Sequence, residues 1–232
     1  MTHFGPEFST PPQHPATGRI RLGVVLALQA VMAVELVVLL LQGSWASGVW
    51  LLAIMAVTAA PALLGNRLPV RIPAEYELLA IVFVFAALFL GEFHSYYERF
   101  WWWDIVLHST SGLLLGIVGF LLVYVLNENR RIDLHMRPGF VALFAFAFAV
   151  TAGTLWEIFE FAADRLFGMQ MQKPMLGDVS GLTDTMWDLI VDTLGAALIS
   201  GFGWWHMKSG RRSFIDTWTD RFVAKNPRLF SR

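Results

Sequence analysis

The chain has no cysteine and little charge: of 232 residues, 17 are Lys or Arg and 18 are Asp or Glu. The missing thiols exclude disulfides, thiolate catalysis and Cys-ligated zinc or iron–sulfur centres. The missing positive excess excludes nucleic-acid binding driven by bulk charge, so no nucleic-acid partner is expected. A soluble domain is about 25% charged and roughly 45–50% apolar. Here 15% of residues are charged and 56% are hydrophobic. That balance excludes a disordered chain and most soluble enzymes. Several motifs are absent too: P-loop, nucleotide-binding glycine pattern, His-Glu-x-x-His zinc motif and Gly-x-Ser-x-Gly elbow.

What is present is apolar sequence in runs. They cover Ile20–Gln42, Ser47–Gly65, Leu78–Gly91, Asp104–Leu126, Gly139–Phe167 and Thr185–Trp205, each bounded by polar residues, Gly or Pro. A span takes about 20 apolar residues, and inside lipid only a helix satisfies its own backbone. The expected fold is therefore all-α: a polytopic bundle of about six transmembrane helices in the lipid bilayer. Residues 1–18 read as a flexible N-terminal tail and 19–205 as the transmembrane domain. Residues 206–232 read as a basic tail, with Phe214, Ile215, Trp218 and Phe222 spaced as on an amphipathic helix. Such a helix is expected to lie on the membrane surface, or else to meet a soluble partner.

The bases set an orientation. Fourteen of the 17 fall in the N-terminal tail, the loops after spans two and four, and the C-terminal tail; Arg99, Arg165 and Lys173 fall on the other side. By the positive-inside rule both termini are cytoplasmic. The triplet Trp101–Trp103 and the pair Trp204 and Trp205 then mark the two interfaces.

In this frame ten of the eighteen acids gather at the outer side: Glu92, Glu98, Asp104, Glu157, Glu160, Asp164, Asp178, Asp184, Asp188 and Asp192. Asp104 and His108 are one turn apart. Glu157, Glu160 and Asp164 share a face of span five. Asp184, Asp188 and Asp192 step by four along span six, so Asp192 lies about 12 Å deeper than Asp184. Spans four and six enter from outside and span five leaves there, so the three faces converge at one level. Glu92 and His94 leave span three at that level, while Glu35 stands alone in span one. Ionisable groups in a membrane are costly and mark function by default. Repelling carboxylates need a cation, a proton or water to relieve them. Carboxylates with imidazole suit a divalent metal ion such as Mg²⁺, Mn²⁺, Ca²⁺, Zn²⁺ or Fe.

The expected metal ligands are Glu157, Glu160, Asp188, Asp192 and His108, with Asp104 and His108 as the catalytic pair. Glu92, His94 and Asp184 are secondary candidates. Plainer roles are expected for some acids: Asp184 as a helix cap, Asp178 as a loop acid, Glu98 and Asp164 as solvated groups, Glu35 as a bond to a neighbouring helix. Gly112, Gly116 and Gly195 would let the helix backbones approach. Three functions fit: a divalent-metal-dependent enzyme acting on a lipid or lipid-linked envelope substrate, a cation or proton transporter, or a non-catalytic envelope accessory protein with a structural metal site.

Over residues 90–200 the chain resembles a known group. Trp103-Asp104 to His108 with Gly112, Trp156-Glu157 to Glu160, and Asp184 to Asp188, Asp192 and Gly195 follow the pattern of the YjdF-like family of uncharacterised bacterial inner-membrane proteins. More distantly the pattern is similar to the VanZ-like family. Either resemblance implies a multi-pass protein of the bacterial plasma membrane and supplies no reaction.

Overall fold

A computed structural model describes residues 15–64, 72–128, 136–209 and 214–226. The expected tail up to residue 14 lies outside them, as do Arg67, Arg71, Arg130, Arg131, Arg211, Arg212, Arg228 and Arg232. The described residues form helices α1 (Pro15–Leu41), α2 (Trp45–Leu64), α3 (Ala74–Val84), α4 (Tyr96–Arg99), α5 (Trp103–Glu128), α6 (Pro138–Phe167), α7 (Leu182–Ser209) and α8 (Phe214–Lys225). No strand occurs among them.

The polarity of the bundle is inverted relative to a soluble domain. Leu143, Leu155 and Leu198 are 62%, 60% and 69% exposed, whereas Glu157, Asp188 and Asp192 are 3%, 1% and 3% exposed. Only a surrounding hydrocarbon solvent makes that arrangement favourable. Five helical stretches are long and apolar enough to cross a membrane: Gly18–Leu41, Ala74–Phe93, Trp103–Tyr124, Pro138–Phe167 and Leu182–Ser209. The run expected as span two forms α2, whose apolar part is shorter, Trp45–Pro61.

Two groups of helices build the molecule. Helices α5, α6 and α7 pack closely on one another, and α1, α2 and α3 form the second group. Ile117, Phe120, Ala142, Ala145 and Ile199 fill the first core, and Met32, Leu51, Ile54 and Phe89 fill the second.

Two elements depart from expectation. The third span, expected to extend back from Leu78 through Glu77 and Tyr76, begins at Ala74 and changes to π-helical bonding over Phe85–Phe93. The N–H of His94 closes it on the carbonyl of Phe89 at 3.1 Å. Hydrophobic periodicity carries no signal for such a change, because it alters bonding without altering apolarity. Helix α8 turns its apolar side to the bundle and not only to a membrane surface. Phe222 is buried, Trp218 meets Tyr76 edge-on with ring centroids 4.9 Å apart, and Arg221 pairs with Glu75. Beside this dock, Arg21 of α1 pairs with buried Glu77 of α3. Acids at the start of α3 thus hold α1 and α8 at the end of the bundle opposite the acid cluster.

Candidate metal and acid–base site

Three helices deliver the cluster. Asp104 and His108 come from the first turns of α5, Glu157 and Glu160 from the last turns of α6, and Asp184, Asp188 and Asp192 from the first turns of α7. Antiparallel neighbours place these turns at one end of the bundle.

Backbone approach makes the gathering possible. A Cβ on Gly112 would lie 2.3 Å from the Asp192 carbonyl oxygen, and one on Gly195 would lie 2.5 Å from that of Ser109. Helices α5 and α7 therefore meet through bare backbone on both sides at the level of the acids.

His108 is the centre. Its Nδ1 lies 3.2 Å from Asp192 Oδ2 and 3.8 Å from Glu157 Oε1. Its Nε2 lies 3.5 Å from Asp104 Oδ1 and 3.9 Å from Asp188 Oδ2. One imidazole has two nitrogens and cannot satisfy four carboxylates. The shortfall is visible: both oxygens of Glu157 and Oδ1 of Asp188 are buried and accept no hydrogen bond. Asp192 is better served, since the Ser111 hydroxyl donates to its Oδ1. One ligand atom each from Asp104, His108 and Asp188 lie within 4.8 Å of one another. Donors on one cation, at bonds of about 2.0–2.6 Å, are spread over about 4–5 Å. Oxygen donors with a single imidazole suit a hard or borderline divalent ion.

The other candidates lie further out. Glu160 is buried one turn along α6 from Glu157 and accepts the indole N–H of Trp156 at 2.7 Å. Asp184 is buried but does not cap its own helix; it accepts the backbone N–H of Lys173 at 2.6 Å. Glu92 is largely exposed and pairs with Lys173 Nζ at 3.3 Å. His94 is separate from the cluster. Its Nε2 lies 2.9 Å from Glu35 Oε2, so Glu35 makes the expected bond to a neighbouring helix and ties α1 to the end of the π-helical segment.

The acids read as plain loop or solvated groups shape the cover over the site. Asp164 accepts the N–H groups of Met171 and Gln172 at 2.8 and 3.0 Å. The start of α7 is organised by Asp178, which accepts the N–H of Ser180 at 2.8 Å and the N–H and hydroxyl of Thr183 at 3.0 and 2.9 Å. Those donors, Ser180 first and then Thr183, hold the Asp178 carboxyl well below the ordinary carboxylate range. The cap expected at Asp184 therefore belongs to Asp178. Together Asp164, Asp178 and Asp184 pin the loop that carries Lys173.

Three participants escaped the sequence reading. Ser111 sits one turn beyond His108 on α5, a spacing that would have pointed to it. Lys173 lies beside the rim of the cluster, with its Nζ 5.4 Å from the Tyr97 ring centroid. Tyr97 lies in the four-residue helix α4, too short for any periodicity to mark it. Burial pushes its phenol above the usual tyrosine range, helped by the negative field of Asp104, Glu92, Glu160 and Asp188.

The family model described as predicted membrane protein (DUF2238) matches residues 24–209. The chain belongs to this family. The DUF2238 match encloses every helix that contributes to the cluster. An uncharacterized protein of Thermotoga maritima is 34% identical over 125 residues, which are 54% of this chain and 59% of that protein. The chain thus spans little more than half the length of this relative. No solved structure matches.

Proposed function

We propose that this DUF2238 protein is a divalent-metal-dependent enzyme of the bacterial plasma membrane, acting on a lipid or lipid-linked envelope substrate. The observation that carries the reading is the set of buried carboxylate oxygens on Glu157 and Asp188 that surround His108 without a hydrogen-bond donor. Such groups cost folding energy unless a ligand completes them. The gathering of bases in the two tails and the sequence loops after spans two and four supports cytoplasmic termini and an extracytoplasmic site. The three motifs that carry the likeness to the YjdF-like and VanZ-like families are the helix faces that build the site, which supports an envelope role.

Asp104, His108 and Asp188 would hold the ion, with Glu157 and Asp192 completing the negative lining and Glu160 one turn beyond. A bound divalent ion supplies Lewis acidity and a water acidified toward neutral pH. Asp192 fixes the orientation of the His108 ring through Nδ1, and Ser111 fixes Asp192. With Nδ1 committed to Asp192, Nε2 would serve either the ion or, where the carboxylates alone hold the ion, the proton of a bound substrate, and not both at once. The loop pinned by Asp164, Asp178 and Asp184 places Lys173 beside the cluster, where its ammonium would meet an anionic headgroup.

Metal analysis of the purified full-length chain tests the proposal. Stoichiometric divalent metal is expected in the wild type and little in Asp188→Asn or Glu157→Gln, with loss of the cellular phenotype in both. Absence of metal, together with an unchanged phenotype in both variants, sinks it. Metal binding without turnover would assign a structural site instead.

A further inference from the structure

A second feature lies at the opposite end of the bundle. An open apolar crevice runs between the start of α6 and the end of α7. Gly139, Ala142, Ala197 and Gly201 line it without a side chain beyond Cβ, and Phe146 and Trp204 stand toward its two ends. Gly139 to Phe146 is seven residues, so the crevice is about 10 Å long. Small residues alone would suit ordinary helix packing. One polar group argues for more. Ser200 also lines the crevice and is 5% exposed, yet its hydroxyl has no hydrogen-bond partner, not even its own helix. Membrane serines normally bond back to the preceding turn.

The mouth carries positive charge and an indole donor. The α6 N-cap is Arg137, which makes no side-chain cap, and Pro138 occupies the first turn. Pro138 has no N–H, and the N–H groups of Phe140 and Val141 bond to the Arg137 carbonyl at 2.9 and 3.2 Å, which leaves the Gly139 N–H and the helix dipole to favour an anion. Trp204 Nε1 reaches within 3.9 Å of the position a Gly139 Cβ would take, and Lys208 Nζ sits 5.2 Å from the Trp204 ring centroid. A cation, an indole N–H and a helix N-terminus therefore meet where the crevice opens.

We infer that this crevice is a binding site for an anionic phospholipid. One acyl chain lies between α6 and α7, the Ser200 hydroxyl bonds to the lipid's polar backbone, and the phosphate sits at Arg137, Lys208 and the α6 N-terminus. The site is independent of the acid cluster and its proposed chemistry.

Native mass spectrometry of the full chain in detergent, with equal dioleoylphosphatidylglycerol and dioleoylphosphatidylcholine, tests this. The wild type should retain the anionic lipid at least about fivefold over the zwitterionic one, the effect expected of a single cation at the headgroup. Gly201→Leu should fill the crevice and lose both lipids while still folding, since a Cβ there meets nothing within 4 Å. Lys208→Gln should keep chain binding and weaken the preference, and Lys208→Gln with Arg137→Gln should lose most of it. Equal retention of the two lipids by the wild type, or undiminished retention by Gly201→Leu, overturns the inference. A dimer that dissociates in Gly201→Leu overturns it as well, by making a second copy the occupant.

Discussion

His108 Nδ1 lies 3.2 Å from Asp192 Oδ2, across the contact between α5 and α7. The bond joins the two helices at the point where their backbones also touch. It commits one ring nitrogen to orientation and leaves the other facing Asp104 and Asp188.

That division predicts opposite effects on stability and on metal binding at Asp188. In metal-free protein the four carboxylates around His108 repel one another, so Asp188→Asn should raise the melting temperature in chelator. The same variant should lose the stabilisation produced by added divalent metal. For the wild type that stabilisation is about 2.7 kcal/mol at a concentration 100 times the dissociation constant. Thermal melts with and without chelator check both signs. A lower melting point in chelator would show that repulsion is not the dominant effect.

Two glycine substitutions should separate packing from site geometry. Gly112→Ala drives a methyl into the Asp192 carbonyl, with 2.3 Å available. Rigid helices must part, at a cost of about 1–3 kcal/mol or more. Gly153→Ala meets the Asp192 carboxylate instead, at 2.7 Å. A side chain yields more easily than backbone, so this variant should melt closer to wild type and still bind metal more weakly. Chemical denaturation paired with metal titration distinguishes the two.

Acid should release the cover loop through Asp178. Its folded pKa is depressed, so its contribution is fully present above the ordinary carboxylate range and fades as pH falls below about 4. Hydrogen exchange over residues 170–183 should be faster in Asp178→Ala than in wild type at neutral pH. The two should converge as the pH drops well below 4. A difference that persisted undiminished into strong acid would assign the loop's order to other contacts.

The dock of α8 should show charge coupling. Arg221→Glu should weaken it, and the reversed pair Glu75→Arg with Arg221→Glu should recover much of the loss. Trp218→Ala should cost about 0.5–1.5 kcal/mol from the ring contact with Tyr76, beyond the area it exposes. Protease sensitivity of the C-terminal segment across this set reports the coupling, and equal sensitivity of the single and double charge variants would deny it.

The spacing of the acids was legible because a helix of 3.6 residues per turn puts Asp184, Asp188 and Asp192 on one face whatever surrounds them. Apolar runs likewise announced the long helices. Partner choice was not legible. Asp184 and Asp178 are both acids near a helix start, and only the path of the intervening loop decides which one caps it. Glu35 and His94 are 59 positions apart, and their meeting depends on how α1 lies against the third span. Trp218 and Phe222 had the spacing of a membrane-surface helix, a pattern that serves equally well against protein.

The π-helical stretch Phe85–Phe93 is, in effect, a spare residue stored inside the third span. Deleting one position from it would let the ladder relax to ordinary α bonding and turn everything beyond it by about 100°. Glu92 and His94 would then face away from Lys173 and Glu35, although the span would be only one residue shorter and just as apolar. The phase of this helix, more than its composition, joins the α1–α3 group to the acidic end of the bundle.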